Sequence, residues 1–283
     1  MLTTVLLALA ASACWGTADF TSGLKARSMP LGVVLLISQG VGLLLAVVVL
    51  LASGRAIPSG GPVAASLGAG LCVIAGLACF YRALATGTMS VVAPVAATGV
   101  AIPVLAGVLG GDHLASVQLV GMGAALAGVV LASRRPGERA LATAARAHRD
   151  AVALALASAV AFGGYFLLAH IGARGGVAWL LLLSHVTSVA GVLAIVAVAR
   201  PSRPRRLRGD LVVLALAGML DFAATGLYGI ANHRGQLSIV AVAGSLYPVA
   251  TVLLARRVLG ERLIRAQAAG VFLALAGVAL IAT

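Results

Sequence analysis

The chain has 283 residues, of which 61% are hydrophobic and 10% charged, where soluble domains carry about a quarter charged residues. Its net charge is +13. The basic residues are almost all arginines set in short turns between apolar runs, which excludes the basic face or basic domain of a nucleic-acid-binding protein. Ten apolar runs, each near the ~20 residues that a helix needs to cross a bilayer, divide the chain at roughly 2–23, 30–52, 62–82, 89–110, 114–132, 151–171, 177–199, 210–231, 236–258 and 263–282.

In the first run Asp19 shares a helical face with Ser12, Trp15, Gly16 and Ser22. Ala11–Cys14 faintly resembles a lipoprotein cleavage site, but no basic residue precedes it, so the run reads as a retained transmembrane helix. Gln39 falls near the middle of the second run. Ala64, Gly68, Cys72 and Gly76 recur every fourth residue along the third, a small-residue stripe that lets helix backbones approach in lipid. Cys14, Cys72 and Cys79 lie inside apolar runs with no CxxC pair and read as small core residues. Pro94 and Pro103 interrupt the fourth run, and each removes a helix hydrogen bond. A turn at Gly111 and Asp112 then feeds the fifth run, with Gly121 and Gly128.

Residues 133–150 connect two halves, and 141–148 are expected to form a short interfacial helix. The sixth run holds Tyr165. The seventh holds His185 with Ser184 and Ser188 nearby. In the eighth, Asp221, Thr225, Tyr228 and Asn232 line one face. An ionisable side chain at bilayer depth costs about 2.5–3.5 kcal/mol on insertion scales, so it marks a functional site unless it is paired in the bundle interior. Two readings of Asp221 stand open: a water-filled solute path, or a paired acid that ties helices together. Asp19 sits close to the end of its run and reads as a pathway or an interface residue. His185 is a proton-relay candidate or a hydrogen-bonded core residue. Pro248 breaks the ninth run, and Gly260-Glu261-Arg262-Leu263 leads into the tenth, with Gly270 and Gly277.

The last stretch is a copy. Gly111-Asp112-His113-Leu114, Gln118, Gly121 and Ala127-Gly128-Val129 match Gly260-Glu261-Arg262-Leu263, Gln267, Gly270 and Ala276-Gly277-Val278 at an offset of 149. Ala10–Gly16 falls on Ala157–Gly163, Ser38-Gln39 on Ser184-His185, and Tyr81 on Tyr228, at offsets of 146–147. Such self-similarity sets the architecture. Each half holds five helices, and an odd number makes the second half enter the membrane from the opposite side. The expected fold is therefore an all-α integral membrane protein of ten transmembrane helices in two inverted five-helix repeats, residues 1–132 and 151–283. Gly111, Asp112, Gly121, Gly128, Pro248, Gly260, Glu261, Gly270 and Gly277 form its structural set. Runs one to four and six to nine are expected to line a cavity, with runs five and ten outside it.

Of the 20 basic residues, 17 lie in odd-numbered loops and only Arg55, Arg174 and Arg234 in even-numbered ones. That bias puts the odd loops in the cytoplasm and both termini outside. Catalytic signals are thin. GxxxxGK[ST], HExxH and any cluster with metal-ligand spacing are missing, so no cofactor and no metal are expected. Ser245 with His185 or His233 is the only pairing that suggests an intramembrane serine enzyme, and it lacks a flanking glycine pattern.

These residues resemble the EamA-type, ten-helix branch of the drug/metabolite transporter superfamily. The resemblance rests on Trp15-Gly16, on Gly260-Glu261-Arg262-Leu263 with Gln267, Gly270 and Gly277-Val278, on the degenerate copy at Gly111-Asp112, and on Pro248 thirteen residues before Glu261. It implies a multi-pass carrier of the bacterial inner membrane, monomeric or homodimeric. Such a carrier exports a small metabolite, amino acid or drug by alternating access with proton coupling. Its partners are then a small-molecule substrate, the lipid bilayer and protons, with no nucleic acid. In that picture the substrate pathway comprises Trp15, Asp19, Gln39, Tyr165, His185, Asp221, Thr225 and Tyr228. Three features depart from the family pattern: Asp112 replaces a Glu, Gly99 stands where the first-copy Pro belongs, and the arginine bias opposes the family's cytoplasmic termini. An intramembrane enzyme and a non-transporting assembly subunit are the alternatives.

Overall fold

The computed structural model describes residues 2–58, 60–111, 115–132, 142–200, 208–260 and 265–281. Asp112, Glu261 and most of the connection between the halves lie outside these described residues. Twelve α-helices and one 3-10 turn account for the secondary structure, and no strand occurs among the described residues. The first half contains α1 (Leu2–Lys25), α2 (Leu31–Ser53), α3 (Gly60–Thr86), α4 (Met89–Ala97), the 3-10 turn Thr98–Val100, α5 (Ala101–Leu109) and α6 (Ser116–Ala132). The second contains α7 (Ala142–Ala173), α8 (Val177–Ala199), α9 (Arg208–Asn232), α10 (Leu237–Gly244), α11 (Tyr247–Leu259) and α12 (Arg265–Ile281). Among the described residues, eight spans are long and apolar enough to cross a bilayer, counting the α4–α5 and α10–α11 pairs as one each. The segment expected as a separate interfacial helix is instead continuous with α7, whose helix starts at Ala142.

The two interrupted runs break at matched places. One break is the 3-10 turn at Thr98–Val100, and the other is Ser245–Leu246, just before Pro248. The prolines themselves do not match, but the backbone interruption does. Pro103 cannot donate to the carbonyl of Gly99, four residues back. That carbonyl is left facing α7, where a side chain on Gly163 would run into it. In the other half, Gly16 of α1 approaches Tyr247 and Ala250 of α11 in the same way. Gly16 and Gly163 are repeat equivalents, so one crossing has been built twice. A second crossing is also doubled: Gly70 of α3 meets Ser184 and Thr187 of α8, and Gly218 of α9 meets Ser38 of α2.

Most packing runs between the halves. α3 lies along α7 and α1 along α9, α3 touches α8 as α9 touches α2, and α2 meets α8. Each contact maps onto another or onto itself when the halves are exchanged. The small-residue stripe on α3 faces α7, with Gly76 against Phe162, Cys72 against Gly164 and Gly68 against Leu168. α6 and α12 pair with each other, and Gly121, Gly128, Gly270 and Gly277 are buried there. Both are preceded by a glycine in the left-handed region, Gly111 (φ 98°) and Gly260 (φ 67°), a conformation open to glycine at no steric cost.

Loops gather at two ends. Thr4 reaches the carbonyl of Arg234, and the Trp179 indole donates to Ala56 O, which collects the start of α1 and the 54–58, 174–176 and 233–236 loops at one end. Lys25 pairs with Asp210 at 2.6 Å, and Arg27 donates to Leu84 O and Gly87 O at the other. Gly87 also meets Ala151 in the N-terminal third of α7. So α1 runs from the first end to the second, and its equivalent α7 runs back. Leu44, Val48, Leu51, Leu71, Val160, Leu193 and Leu216 are exposed on the outside. Apolar side chains in that density need lipid around them.

Candidate functional site

A cavity open to solvent lies between the halves, lined by side chains of α1, α2, α3, α7, α8, α9 and α11. Among the described residues neither α6 nor α12 contributes, and runs five and ten were expected outside it. The fourth run, expected on the wall, supplies no lining residue among those described, because its break is spent on packing against α7.

Asp221 is the centre of the polar wall. Gln39 Nε2 donates to its Oδ2 at 3.1 Å, and His185 Nε2 stands 3.9 Å from the same oxygen. Three helices are joined here: α2, α8 and α9. His185 Nδ1 lies 2.8 Å from Leu181 O. A carbonyl only accepts, so Nδ1 carries a hydrogen, and in the neutral ring Nε2 is then a bare lone pair. That lone pair has no hydrogen-bond partner among the described residues and faces the carboxylate. Two acceptors repel, so the arrangement becomes attractive only when one of the two groups holds a further proton. Room for the imidazole comes from Gly42, where a Cβ would collide with the His185 ring.

Asp19 is the second acid on the wall, 5% exposed, and accepts from the Tyr81 hydroxyl at 3.2 Å. The Tyr247 hydroxyl, also lining the cavity, is buried with no partner among the described residues. Trp15 sits among rings, with centroids 5.9 Å from Tyr165, 5.8 Å from Phe166 and 5.5 Å from Tyr228. A second ring cluster joins Phe80, Phe162 and Tyr247 at 5.6–6.2 Å. Edge-on and tilted packing at these distances is the favoured geometry of aromatic pairs.

Of the sequence candidates, Trp15, Asp19, Gln39, Tyr165, His185, Asp221 and Thr225 all reach the cavity. Tyr228 does not. It is fully buried behind Trp15, its hydroxyl donating to Phe166 O at 3.4 Å. Asn232, on the same predicted face, is drawn off to His170 at 2.8 Å. Ser245 donates to Val242 O and is absent from the wall that holds His185, while His233 is exposed. No group of three or more metal-ligating side chains occurs among the described residues.

The EamA-like transporter family profile matches the chain twice, over residues 2–134 and 150–283. The chain belongs to the EamA-like transporter family. It is therefore a multi-pass membrane protein of a transporter family within the drug/metabolite transporter superfamily. A solved crystal structure aligns over 98% of this chain and 95% of its own, with a TM-score of 0.75 and 20% identity. At that identity the likeness shows the fold alone. No curated protein matches the sequence.

Within this EamA chain, sequence reasoning passed over Phe162, Phe166, Val73, Leu77 and Gly42. The repeat offset held a signal for two of them. Phe162 is the equivalent of Trp15 and Phe166 that of Asp19, so both were reachable by mapping one half onto the other. Gly42 carried no such mark, since its role appears only with the His185 ring beside it.

Proposed function

We propose that this EamA protein is a secondary carrier that moves a small solute through the central cavity by alternating access, coupled to protons. Its membrane is the inner membrane of a bacterial cell. The repeats are residues 1–132 and 151–283, joined by 133–150, and α6 and α12 complete a set of ten spans. The observation that carries the reading is the His185–Asp221–Gln39 group at the wall of the cavity between the two halves. Its geometry needs a mobile proton, and the groups that face it include Asp19 from α1, Tyr165 from α7 and Tyr247 from α11. In this reading Asp221 and His185 take the coupling proton, while Trp15, Gln39, Tyr165 and Thr225 touch the solute. Tyr228 holds Trp15 in place from behind.

The test begins with a thermal-shift screen of the purified chain against metabolites and drugs, since a ligand of the native state raises its apparent stability. A stabilising solute is then followed in proteoliposomes under a pH gradient. Asp221→Asn is expected to abolish gradient-driven movement while leaving the melting temperature within a few degrees. Unchanged proton coupling in that variant removes the role given to Asp221.

A further inference from the structure

The reading of the cavity as a solute site leaves open what kind of solute it takes, and the balance of charges and donors on its wall addresses that. Two carboxyl groups, Asp19 and Asp221, face the cavity, with one imidazole, His185, and no Lys or Arg among the described lining residues. With His185 protonated and both acids ionised, the site carries a net charge of −1, one positive charge short of neutral.

The donors are largely committed elsewhere. Gln39 gives its amide to Asp221, Ser184 its hydroxyl to Leu180 O, Ser188 its hydroxyl to Gly70 O, and Tyr165 its hydroxyl to Thr225. At the helix break near Tyr247 the Ser245 N–H is taken by Ala241 O and the Val249 N–H by Leu246 O. What remains over is the Tyr247 hydroxyl and acceptor capacity on two carboxyls, beside the ring faces clustered around Trp15. A carboxylate solute would find only the His185 imidazole and the Tyr247 hydroxyl to set against two carboxyls, and a buried anion held beside like charge is strongly disfavoured. An ammonium would find carboxyl oxygens for its N–H groups and aromatic rings for its charge, which attract a cation within about 6 Å of the ring centre.

We infer that the cavity selects organic cations, amines carrying an aromatic or apolar body, over zwitterions and anions of the same body. This rests on the carrier reading and deepens it. Aromatic rings hold the apolar part, Asp221 holds the ammonium, and Asp19 supplies the second negative charge.

A matched trio tests the inference on the full chain in detergent. Phenethylamine, phenylalanine and 3-phenylpropionate share one body and differ in charge. Binding is read by calorimetry, and uptake is read separately in proteoliposomes with benzyltrimethylammonium, which cannot cross as a neutral base. The amine is expected to bind at least tenfold more tightly than either other compound. Asp221→Asn is expected to lose at least tenfold for the amine and nothing for 3-phenylpropionate. Equal or tighter binding of phenylalanine or 3-phenylpropionate to the native chain overturns the inference, and so does binding of none of the three. That comparison stands whether or not the variant folds. Amine selection untouched by Asp221→Asn overturns the placement of the charge. Amine binding without uptake of the quaternary ion keeps the cation site and removes the carrier reading. Gradient-driven transport of an anion or zwitterion from the screen, with no amine binding, does the reverse.

Discussion

Replacing Gly16 with alanine tests whether the repeated crossings set the architecture. A Cβ on Gly16 would lie 2.7 Å from the Ala250 Cβ and closer still to the Tyr247 carbonyl oxygen. Carbon atoms pack at about 3.5–4.0 Å, so α1 and α11 must separate by about 1 Å. Neither neighbour is the end of a flexible side chain, so rotation cannot relieve the clash. The separation also stretches the Thr251 hydroxyl bond to Gly16 O, now 3.0 Å, beyond useful length. Overpacking costs about 1–3 kcal/mol and the lost hydrogen bond about 1 kcal/mol. Alanine returns about 1 kcal/mol of helix propensity, which leaves a net loss of about 2 kcal/mol. At roughly 2–4 °C per kcal/mol for a chain of this size, the melting temperature falls by about 4–8 °C. Tryptophan fluorescence during a thermal ramp in detergent measures it. Gly163→Ala, whose Cβ would stand 2.7 Å from Ile102 Cδ1 and nearer the Gly99 carbonyl, is expected to lose a similar amount. Gly40 has open space around it, so Gly40→Ala keeps only the propensity gain and melts slightly higher. A Gly16→Ala protein as stable as Gly40→Ala would refute the claim that this crossing is tight by necessity.

Gly42→Ala is expected to push the His185 ring away from Asp221 and to weaken gradient-driven transport in proteoliposomes severalfold without altering any titratable residue. Tyr81→Phe removes the hydroxyl that serves the buried Asp19 carboxyl and is expected to cost about 1–3 kcal/mol in a detergent melt. Lys25→Met breaks an ion pair whose side chains are 25% and 29% exposed, so it is expected to cost no more than about 1 kcal/mol, less at high salt. A fluorophosphonate probe is expected to leave Ser245 unlabelled, because that hydroxyl is buried and bonded to Val242 O; labelling would revive the enzyme alternative.

The spans and the repeat were legible because both leave one-dimensional marks. A run of about twenty apolar residues has one stable use, and a fixed offset survives wherever the copies keep their glycines. Asp221, Gln39 and His185 were legible for a different reason, since polar groups in an apolar helix cost too much to be accidental. That they converge was not legible. Residues 39, 185 and 221 meet only because α2, α8 and α9 cross at Gly218–Ser38 and at Gly42–His185, and a crossing is a property of two helices at once. Tyr228 was misplaced by the same limit. It shares a face with Asp221, but seven residues carry it about 10 Å along the axis, at 1.5 Å per residue, into the ring cluster behind Trp15. Proline positions misled as well. They do not match between halves, yet the backbone breaks do, since Pro94 and Pro103 flank an interruption that Pro248 follows directly.

Exchange of the halves also separates scaffold from chemistry. Where the copies agree, at Gly16 and Gly163, at Ser38 and Ser184, and at Gly111 and Gly260, the residues make crossings and turns, with Ser184 also reaching the cavity wall. Where they disagree, the residues line the cavity: Gln39 against His185, Trp15 against Phe162, Asp19 against Phe166. Tyr81 and Tyr228 are equivalent, yet one donates to a carboxyl on Asp19 and the other to a backbone carbonyl on Phe166. One end of the cavity is thus tied through an ionisable group and the other through an apolar one. A carrier built from two like halves can reach its two open states by exchanging their conformations, but with such unequal ties the two states respond differently to protons. Of these two ties only the one to Asp19 can gain or lose a charge, so Asp19→Asn should change the pH dependence of solute release at one face of the membrane and leave the other unchanged. Right-side-out and inverted vesicles, assayed in parallel, would expose that difference, and identical pH profiles at both faces would show that the asymmetry has no part in transport.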